Sequence, residues 1–337
     1  RGRARGQEAA GEGLAGVEQF GHGEAQVIVK TAAQMQAEAL MLADALPFGR
    51  SGETVIGSVI PQHLYGFTFR FALALTADDA ARIKAAGKRV VYISMENGSP
   101  LVAEICAGGG LDWVLIDMEH GPNTLDTVVS QLQAVAGTAA TPVVRVPIGD
   151  VVTIKQVLDL GAQNILVPMV GSAAEARAVV EAVRYPPRGR RGVGSALARS
   201  ARWNRVDDYL QNADAYVSVF VQVETIEAVD AAAEIAAVDG IDGVFVGPSD
   251  LAASLGLLGQ QTHPEVTDAV ARAFSAVIAA GKPVGVNAFD PAVAQSYLDA
   301  GAAFVLVGAD VALLARGSEA LAARWIPTAD DTLRAGY

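Results

Sequence analysis

Three residues that can carry acid–base chemistry follow a short apolar run at Trp113–Ile116. They are Asp117, Glu119 and His120, and a Gly-Pro-Asn turn comes directly after them. An imidazole has a pKa near neutral pH, so a histidine placed beside carboxylates can act as a general base. We therefore interpret His120 as the base of an active site. A packed or merely structural histidine is the alternative.

A second group of polar residues follows two later apolar runs. Side chains alternate along a strand, so VQVET places Gln222 and Glu224 on one face. GVFVGPSD places Asp250 just beyond the end of the next run. Two neighbouring carboxylates repel unless a proton or a cation lies between them, and oxygen ligands suit Mg²⁺ or Mn²⁺. We favour a metal held by Glu224 and Asp250. Helix capping by Ser249 and Asp250 is the alternative.

One arginine lies inside an otherwise apolar run. Arg145 occurs in TPVVRVP, where a buried guanidinium is costly unless it is paired. A carboxylate partner inside the protein would explain it structurally. The functional alternative is that Arg145 binds a substrate carboxylate or a developing enolate oxygen. Asp159, in the helical pattern IKQVLDLGA, is by default a solvated helix residue.

The elements that must position these residues recur regularly from about residue 88. Eight short β-branched runs alternate with Ala-rich amphipathic segments, which predicts a parallel sheet covered by helices. Eight such units in about 240 residues predict a closed (β/α)8 TIM barrel; an open doubly wound sheet is the alternative. The predicted strands are 89–96, 113–120, 141–146, 164–169, 216–224, 243–250, 283–289 and 304–310. Barrel active sites lie at the C-terminal strand ends, where the residues above are found.

The remaining segments fall outside this repeat. The connection 184–215 carries seven arginines, and we expect it to overhang the barrel mouth; a solvated loop or a subunit contact is the alternative. Residues 1–75 are interpreted as an N-terminal extension with one helix at 32–46, residues 76–327 as the barrel, and 328–337 as a tail. The apolar window Val55–Leu75 contains Pro61 and Arg70, too interrupted for a membrane span.

Composition excludes several classes of protein. The net charge of −12 argues against nucleic acid as a partner, because phosphate binding needs a basic face. The single cysteine, Cys106, allows no internal disulfide, so we expect a cytoplasmic protein. None of the five lysines ends a predicted strand, which argues against Schiff-base chemistry. No Cys/His cluster indicates zinc, and no GxSxG motif indicates a serine nucleophile.

Taken together, the motifs resemble those of one enzyme family. DMEHGPN, VVRVP, IKQVLDLGAQNILVPMV, RYPPRGRRGVGSALARSARWNR, VQVET and VFVGPSDLAASLG occur in that order. They resemble the HpcH/HpaI aldolases, class II pyruvate aldolases with a barrel of the phosphoenolpyruvate/pyruvate type. The similarity runs from about residue 76 to 327. This chain has DMEH and GPSD where many relatives have DGEH and GPAD. Asn287, Ala288 and Phe289 replace a more apolar stretch, which leaves the aldehyde preference open.

The resemblance implies a role for each candidate residue. Glu224 and Asp250 would bind the divalent metal, for which Mg²⁺ and Mn²⁺ are the first candidates and Co²⁺ a further one. His120 would be the base, paired with an aspartate matching Asp159 that a neighbouring subunit could contribute. The other implied roles are oxyanion binding by Arg145, support of His120 or a metal-bound water by Asp117, and substrate contacts by Gln222 and the backbone of Gly247, Pro248 and Ser249.

The implied reaction is metal-dependent retro-aldol cleavage of 4-hydroxy-2-oxo acids to pyruvate and an aldehyde, as used in the catabolism of aromatic compounds. Candidate substrates are 4-hydroxy-2-oxoheptanedioate and 2-keto-3-deoxy sugar acids. Two alternatives remain: citrate-lyase-like cleavage of a CoA thioester, and a non-catalytic oligomeric barrel. The resemblance also implies a small-molecule partner and a homohexamer that exchanges C-terminal helices, for which residues 313–325 are suited.

Overall fold

The structure is a computed structural model that describes residues 14–19, 26–31 and 90–326. The two short segments form an antiparallel pair, β1 (Leu14–Gln19) with β2 (Gln26–Thr31). This pair was not predicted. The predicted helix 32–46 and the apolar window 55–75 lie outside the described residues, as does the predicted tail 328–337. Within the described ranges, no helix has the length and apolar character needed to span a membrane.

Residues 90–326 form eight strands that alternate with helices. The strands are β3 (Val90–Met95), β4 (Trp113–Asp117), β5 (Thr141–Arg145), β6 (Asn164–Val167), β7 (Ser218–Val223), β8 (Gly243–Val246), β9 (Val284–Asn287) and β10 (Phe304–Ala309). The helices are α1 (Pro100–Ala107), α2 (Leu125–Val135), α3 (Val151–Asp159), α4 (Ala173–Val183), α5 (Tyr209–Asn212), α6 (Ile226–Asp230), α7 (Ala232–Ala236), α8 (Pro248–Ser254), α9 (Pro264–Ala279), α10 (Pro291–Asp299) and α11 (Asp310–Trp325). All eight predicted strands are present.

The eight strands close into a parallel barrel. Each strand pairs with its neighbour in sequence, and β10 returns to pair with β3. The predicted (β/α)8 barrel is therefore confirmed, and the open-sheet alternative is wrong. The register places Asp117 on β4 directly opposite Arg145 on β5. That register matters because both side chains point into the barrel at the same height.

Aromatic side chains fill the lower interior of the barrel. Tyr92, Trp113, Phe220 and Phe304 are all buried, and the rings of Phe220 and Phe304 meet edge-on with centroids 5.4 Å apart. Gly285 makes room for this packing, because a Cβ there would lie 2.0 Å from the Phe304 ring. The aromatic layer closes the barrel from below, so the polar residues further along the strands form the floor of a mouth that opens at one end only.

The outer core lies between the strands and the helices and consists mainly of Val, Ile and Ala. Six of the helices that follow barrel strands begin with side-chain caps, whereas α8 and α11 do not. Thr124 and Thr127 form a reciprocal capping box on α2, and Asp150 accepts the amides of Val152 and Thr153 at the start of α3. These caps satisfy amides that the first helical turn leaves unpaired and fix where each loop at the mouth ends.

The long connection 184–215 lies at the other end of the barrel from the mouth. It follows α4 rather than a strand, and it contacts the segments that lead into strands. Arg199 donates to the carbonyl of Leu160 at the end of α3, and Arg184 donates to Asp239 just before β8. Our expectation that this connection overhangs the mouth was therefore wrong, because the helix α4 between β6 and the basic segment carries the chain to the opposite end of the barrel.

Candidate active site

The mouth of the barrel is lined by polar side chains that follow the buried aromatic layer. Alternation along the strands brings Asp117, Arg145 and Gln222 inward, one residue pair above Leu115, Val143 and Phe220. All three polar side chains are buried. Four of the predicted site residues, Asp117, Arg145, Gln222 and Glu224, lie in one continuous hydrogen-bonded chain across the mouth.

Asp117 and Arg145 form a buried, two-pronged ion pair. The Nε of Arg145 donates to Oδ1 of Asp117 at 2.9 Å, and its Nη2 donates to Oδ2. The backbone amide of Glu119 adds a further donor to Oδ1 at 2.9 Å. Burial opposes ionisation of Asp117, but the hydrogen bonds and charge of Arg145 prevail and lower the pKa of this carboxyl. Asp117 is thus held as a carboxylate.

The third nitrogen of Arg145 faces the centre of the mouth. Its Nη1 lies 3.0 Å from Oε2 of Glu119 and donates to Oε1 of Gln222 at 3.3 Å. The structural explanation for a buried arginine, a carboxylate partner within the barrel, is therefore met by Asp117. The same pairing leaves Nη1 as the donor that a bound oxyanion could contact, so the two explanations coexist.

Glu224 lies across the mouth from Asp117. Its Oε2 accepts from the Gln222 amide, and its Oε1 accepts from the backbone amide of Met169 at 2.6 Å. Burial raises the pKa of Glu224, the hydrogen bonds from Gln222 and Met169 lower it, and the negative charge of Asp250 raises it again; the net shift is upward. A cation between Glu224 and Asp250 would remove the upward pKa shift that the charge of Asp250 causes.

Asp250 lies in the first turn of α8 and is exposed. The cap residue of α8 is Gly247, which makes no side-chain capping bond, and Ser249 instead accepts from the side chain of Gln261. The capping alternative for Ser249 and Asp250 is therefore wrong. The Gly247 amide donates to Val223, and Pro248 has no amide hydrogen. Backbone donors on this side of the mouth are thus left to Ser249 and Asp250.

His120 stands at the rim. Its side chain is 62% exposed, and its Nε2 lies 3.8 Å from Oε2 of Glu119. The carboxylate of Asp117 faces the backbone amide of His120, at 3.4 Å, while its strong bonds go to Arg145. Asp117 therefore supports the turn that carries His120.

Asp159 lies away from the mouth of its own chain. It ends α3, five residues before β6 begins, and so it belongs to the opposite end of the barrel. There Oδ1 of Asp159 accepts from Arg191 at 3.3 Å, and the guanidinium of Arg191 lies 4.6 Å from the centre of the Tyr185 ring. The structure does not bring Asp159 to His120 within one chain.

Two features of the mouth were not predicted. Met169 adopts a left-handed backbone conformation (φ 55°), uncommon for a residue with a side chain, and this turn supplies the amide that Glu224 accepts. Glu96, at the end of β3, faces Asp117 closely enough for the two carboxyl groups to hydrogen-bond. A glutamate at a strand end does not by itself indicate a partner, and only the packing reveals that Asp117 is its neighbour.

Comparison with known proteins assigns the chain that forms this mouth to a protein family. Residues 88–317 match the family model described as HpcH/HpaI aldolase/citrate lyase. The chain belongs to the HpcH/HpaI aldolase/citrate lyase family. A relative from Salmonella dublin, named 4-hydroxy-2-oxo-heptane-1,7-dioate aldolase, is 52% identical over 240 residues, which cover 71% of this chain and 91% of the relative.

Solved structures of the HpcH/HpaI family agree with this assignment. A family protein from Burkholderia cenocepacia J2315 is 40% identical, with a TM-score of 0.70 and coverage of 73% of this chain and 97% of that one. An HpcH/HpaI aldolase from Desulfitobacterium hafniense DCB-2 is 30% identical, with a TM-score of 0.66 and coverage of 74% and 98%. The resemblance noted in the sequence motifs is thereby confirmed.

HpcH/HpaI aldolases generally depend on a divalent metal ion. The side chains at the mouth are of a type that could bind such an ion. Within the described ranges, no group of three or more His, Cys, Asp or Glu side chains is arranged as a metal cluster. Glu224 and Asp250 nevertheless supply two carboxylates whose mutual repulsion a cation would relieve. Such a sparse oxygen set leaves positions for water and substrate, as Mg²⁺ sites commonly do.

Proposed function

We propose that this protein cleaves 4-hydroxy-2-oxo acids by a retro-aldol reaction into pyruvate and an aldehyde. The observation that carries the proposal is the pairing, in one mouth, of a fixed arginine donor with a two-carboxylate cation site, beneath an exposed histidine. The name of the Salmonella relative, a 4-hydroxy-2-oxo-heptane-1,7-dioate aldolase, supports the same reaction and makes a seven-carbon dicarboxylate the first substrate to test.

We propose that Glu224 and Asp250 hold the divalent metal, with Mg²⁺ or Mn²⁺ the first candidates. When bound, the metal would act as a Lewis acid on the 2-oxo acid group. The protein's own part is to keep Glu224 in place, through Gln222 and the Met169 amide, so that both carboxylates face the same space. The amides of Ser249 and Asp250 lie beside this space and would contact the substrate carboxylate.

Arg145 is proposed to hold the keto oxygen as it becomes an enolate oxygen. Its Nε and Nη2 are committed to Asp117, which fixes the plane of the guanidinium. Its Nη1 is the remaining donor and points toward Glu119 and Gln222 across the mouth. A donor that is already oriented requires no reorganisation as charge develops, and one such contact contributes about 3 kcal/mol.

His120 is proposed as the base that takes the proton of the C4 hydroxyl. As the proton leaves, the C4–O electrons form the aldehyde carbonyl, the C3–C4 bond breaks, and its electrons move to C3 and the enolate oxygen. Protonation at C3 then gives pyruvate. The exposed position of His120 allows it to exchange this proton with water between turnovers. Pairing with Asp159 would require a second copy of the chain.

We propose a hexameric assembly in which α11 is exchanged between subunits. Apart from Asp310, α11 has no buried residue, and it carries exposed apolar side chains that include Leu314 (54% exposed) and Leu321 (58% exposed). Exposed apolar surface of this extent marks an association site. Replacing Leu314 and Leu321 by Asp should lower the mass measured by sedimentation equilibrium. The same change at exposed Leu258 should not.

The proposed reaction is tested with a panel of 4-hydroxy-2-oxo acids and direct measurement of released pyruvate. We expect cleavage of 4-hydroxy-2-oxoheptanedioate and slower cleavage of 2-keto-3-deoxy sugar acids. A parallel arm contains citramalyl-CoA and malyl-CoA, and acetyl-CoA, the product common to both cleavages, is measured there. Cleavage of only the thioesters would overturn the proposal in favour of citrate-lyase-like chemistry, and cleavage of neither set would favour a non-catalytic barrel.

A further inference from the structure

Glu96 is a carboxyl group at the mouth that the proposed reaction does not use. It follows β3 and faces inward above Tyr92 and Ser94. The Ser94 hydroxyl donates to its Oε1 at 2.7 Å. Its Oε2 is buried and has no donor within the described part of the chain. A buried carboxylate oxygen left without a donor is costly, so this arrangement calls for an explanation.

Asp117, the neighbour of Glu96, explains how this buried oxygen is satisfied. The carboxyl groups of Glu96 and Asp117 lie within hydrogen-bonding reach. Two carboxylates that close can bond only if they share a proton. Asp117 is held ionised by Arg145, so the proton belongs on Glu96. In that state the Glu96 hydroxyl donates to Asp117, Ser94 donates to Glu96, and no buried oxygen of Glu96 is left unpaired.

We propose that Glu96 is a positioning residue, which in its acid form holds Asp117 and thereby fixes Arg145 and the turn that carries His120. When Glu96 ionises, it faces Asp117 as a second negative charge and competes for Arg145. The guanidinium then loses its fixed orientation toward the substrate oxygen. The proposal rests on the retro-aldol function given above.

The charged groups around Glu96 determine the pH at which it loses its proton. Asp117 and Arg145 face it from β4 and β5, with Glu119 beyond them, and Asp310 accepts the backbone amides of Glu96 and Asn97 from the start of α11. Burial, and then the charge of Asp117, raise the pKa of Glu96 to about 7, against the lowering effects of Ser94 and Arg145. The acid form is therefore lost as the pH rises through neutrality.

The direction of the pH dependence distinguishes the proposed role of Glu96 from that of His120. A general base fails when it is protonated, which lowers the rate on the acid side, whereas loss of the Glu96 proton lowers the rate on the alkaline side. We expect kcat/KM of the wild-type enzyme, at saturating Mg²⁺, to fall by about tenfold or more between about pH 7 and about pH 9. Pyruvate is quenched and derivatised in this assay, so that no coupling enzyme contributes its own pH dependence.

Two variants and one control test the proposal. Glu96→Gln keeps a neutral donor to Asp117; its kcat/KM should stay within about threefold of wild type near pH 6.5 and lose the alkaline fall. Ser94→Ala removes a bond that favours the ionised form, so the fall should move to higher pH. Glu104→Gln, on the exposed face of α1, should leave the profile unchanged. An unaltered alkaline fall in Glu96→Gln would overturn the proposal, as would its inactivity at every pH in a folded protein.

A readout without substrate distinguishes failure of this proposal from failure of the proposed function. The enzyme is labelled with ¹³C at glutamate side-chain carboxyls, and the Glu96 signal is assigned by its absence in Glu96→Gln. It should titrate near neutral pH. If no 4-hydroxy-2-oxo acid is cleaved, only the proposed function fails, and this titration still tests the shared proton. Titration of Glu96 at ordinary carboxyl pH would overturn the positioning role alone.

Discussion

Replacing Asp117 by Asn removes the charge that holds Arg145 while keeping the shape of the side chain. Asp117 is fully buried, Arg145 is 8% exposed, and two hydrogen bonds join them. Removing one partner of a buried ion pair leaves the other charge unpaired and lowers the free energy of unfolding by about 3–5 kcal/mol. Glu119, 3.0 Å from Nη1, remains as a partial counter-charge, which places the expected loss of unfolding free energy near the lower bound, about 3 kcal/mol.

The assay is urea unfolding followed by circular dichroism at one fixed protein concentration. In thermal unfolding at the same protein concentration, a loss of about 3 kcal/mol corresponds to a fall in melting temperature of roughly 6–12 °C. The matched control is Asp230→Asn, which breaks the exposed Asp230–Arg272 pair of similar length, 3.0 Å, and should change stability by less than about 1 kcal/mol. In addition, kcat/KM of Asp117→Asn should fall about 100-fold or more, because Arg145 is no longer oriented.

The pH dependence gives an independent check on Asp117. Its pKa is lowered in the folded protein, so its stabilisation is present above the unfolded value of about 3.9 and is lost as the pH falls below it. The stability gap between wild type and Asp117→Asn should therefore be present at neutral pH and shrink below about pH 4. A gap below about 1 kcal/mol at neutral pH, with unchanged kcat/KM, would refute the reasoning about the ion pair.

Two further predictions follow from the mouth. His120→Gln should reduce kcat/KM by about 10²- to 10⁴-fold and leave the urea midpoint unchanged, because its side chain is exposed; a destabilised protein or a near-normal rate would contradict its assignment as base. Gly121→Ala should lower the melting temperature and the activity, because its Cβ would lie 2.6 Å from the Asp117 carbonyl oxygen, whereas Gly308→Ala, with open space around the added carbon, should be tolerated; equal effects of the two would refute this steric argument.

The sequence was informative where periodicity or strand ends decide the structure. Alternating apolar runs predicted all eight barrel strands, and the rule that barrel sites lie at C-terminal strand ends brought Asp117, Arg145, Gln222 and Glu224 together correctly. The sequence was not informative about which side chains pair with each other inside the mouth. Which carboxylate pairs with Arg145 depends on the register of β4 against β5, and the sequence does not state that register.

Other features depended on conformations that have no sequence signal. The left-handed turn at Met169 and the Glu96–Asp117 contact come from packing between distant segments. The long basic connection was placed at the wrong end because the helix α4 before it was not counted as a return across the barrel. Asp159 was identified only through the family resemblance, and its partner within the chain, Arg191, lies in that same connection.

The most direct test of the central claim is pyruvate release from 4-hydroxy-2-oxoheptanedioate by metal-stripped enzyme, before and after addition of Mg²⁺ or Mn²⁺. Stripped wild-type enzyme should be inactive and recover fully with the metal. Glu224→Gln should stay inactive, remain folded and show no Mn²⁺ binding by calorimetry, because Glu224 and Asp250 are the proposed ligands. Full activity of the stripped enzyme, or metal-restored activity in Glu224→Gln, would contradict the proposed metal-dependent site.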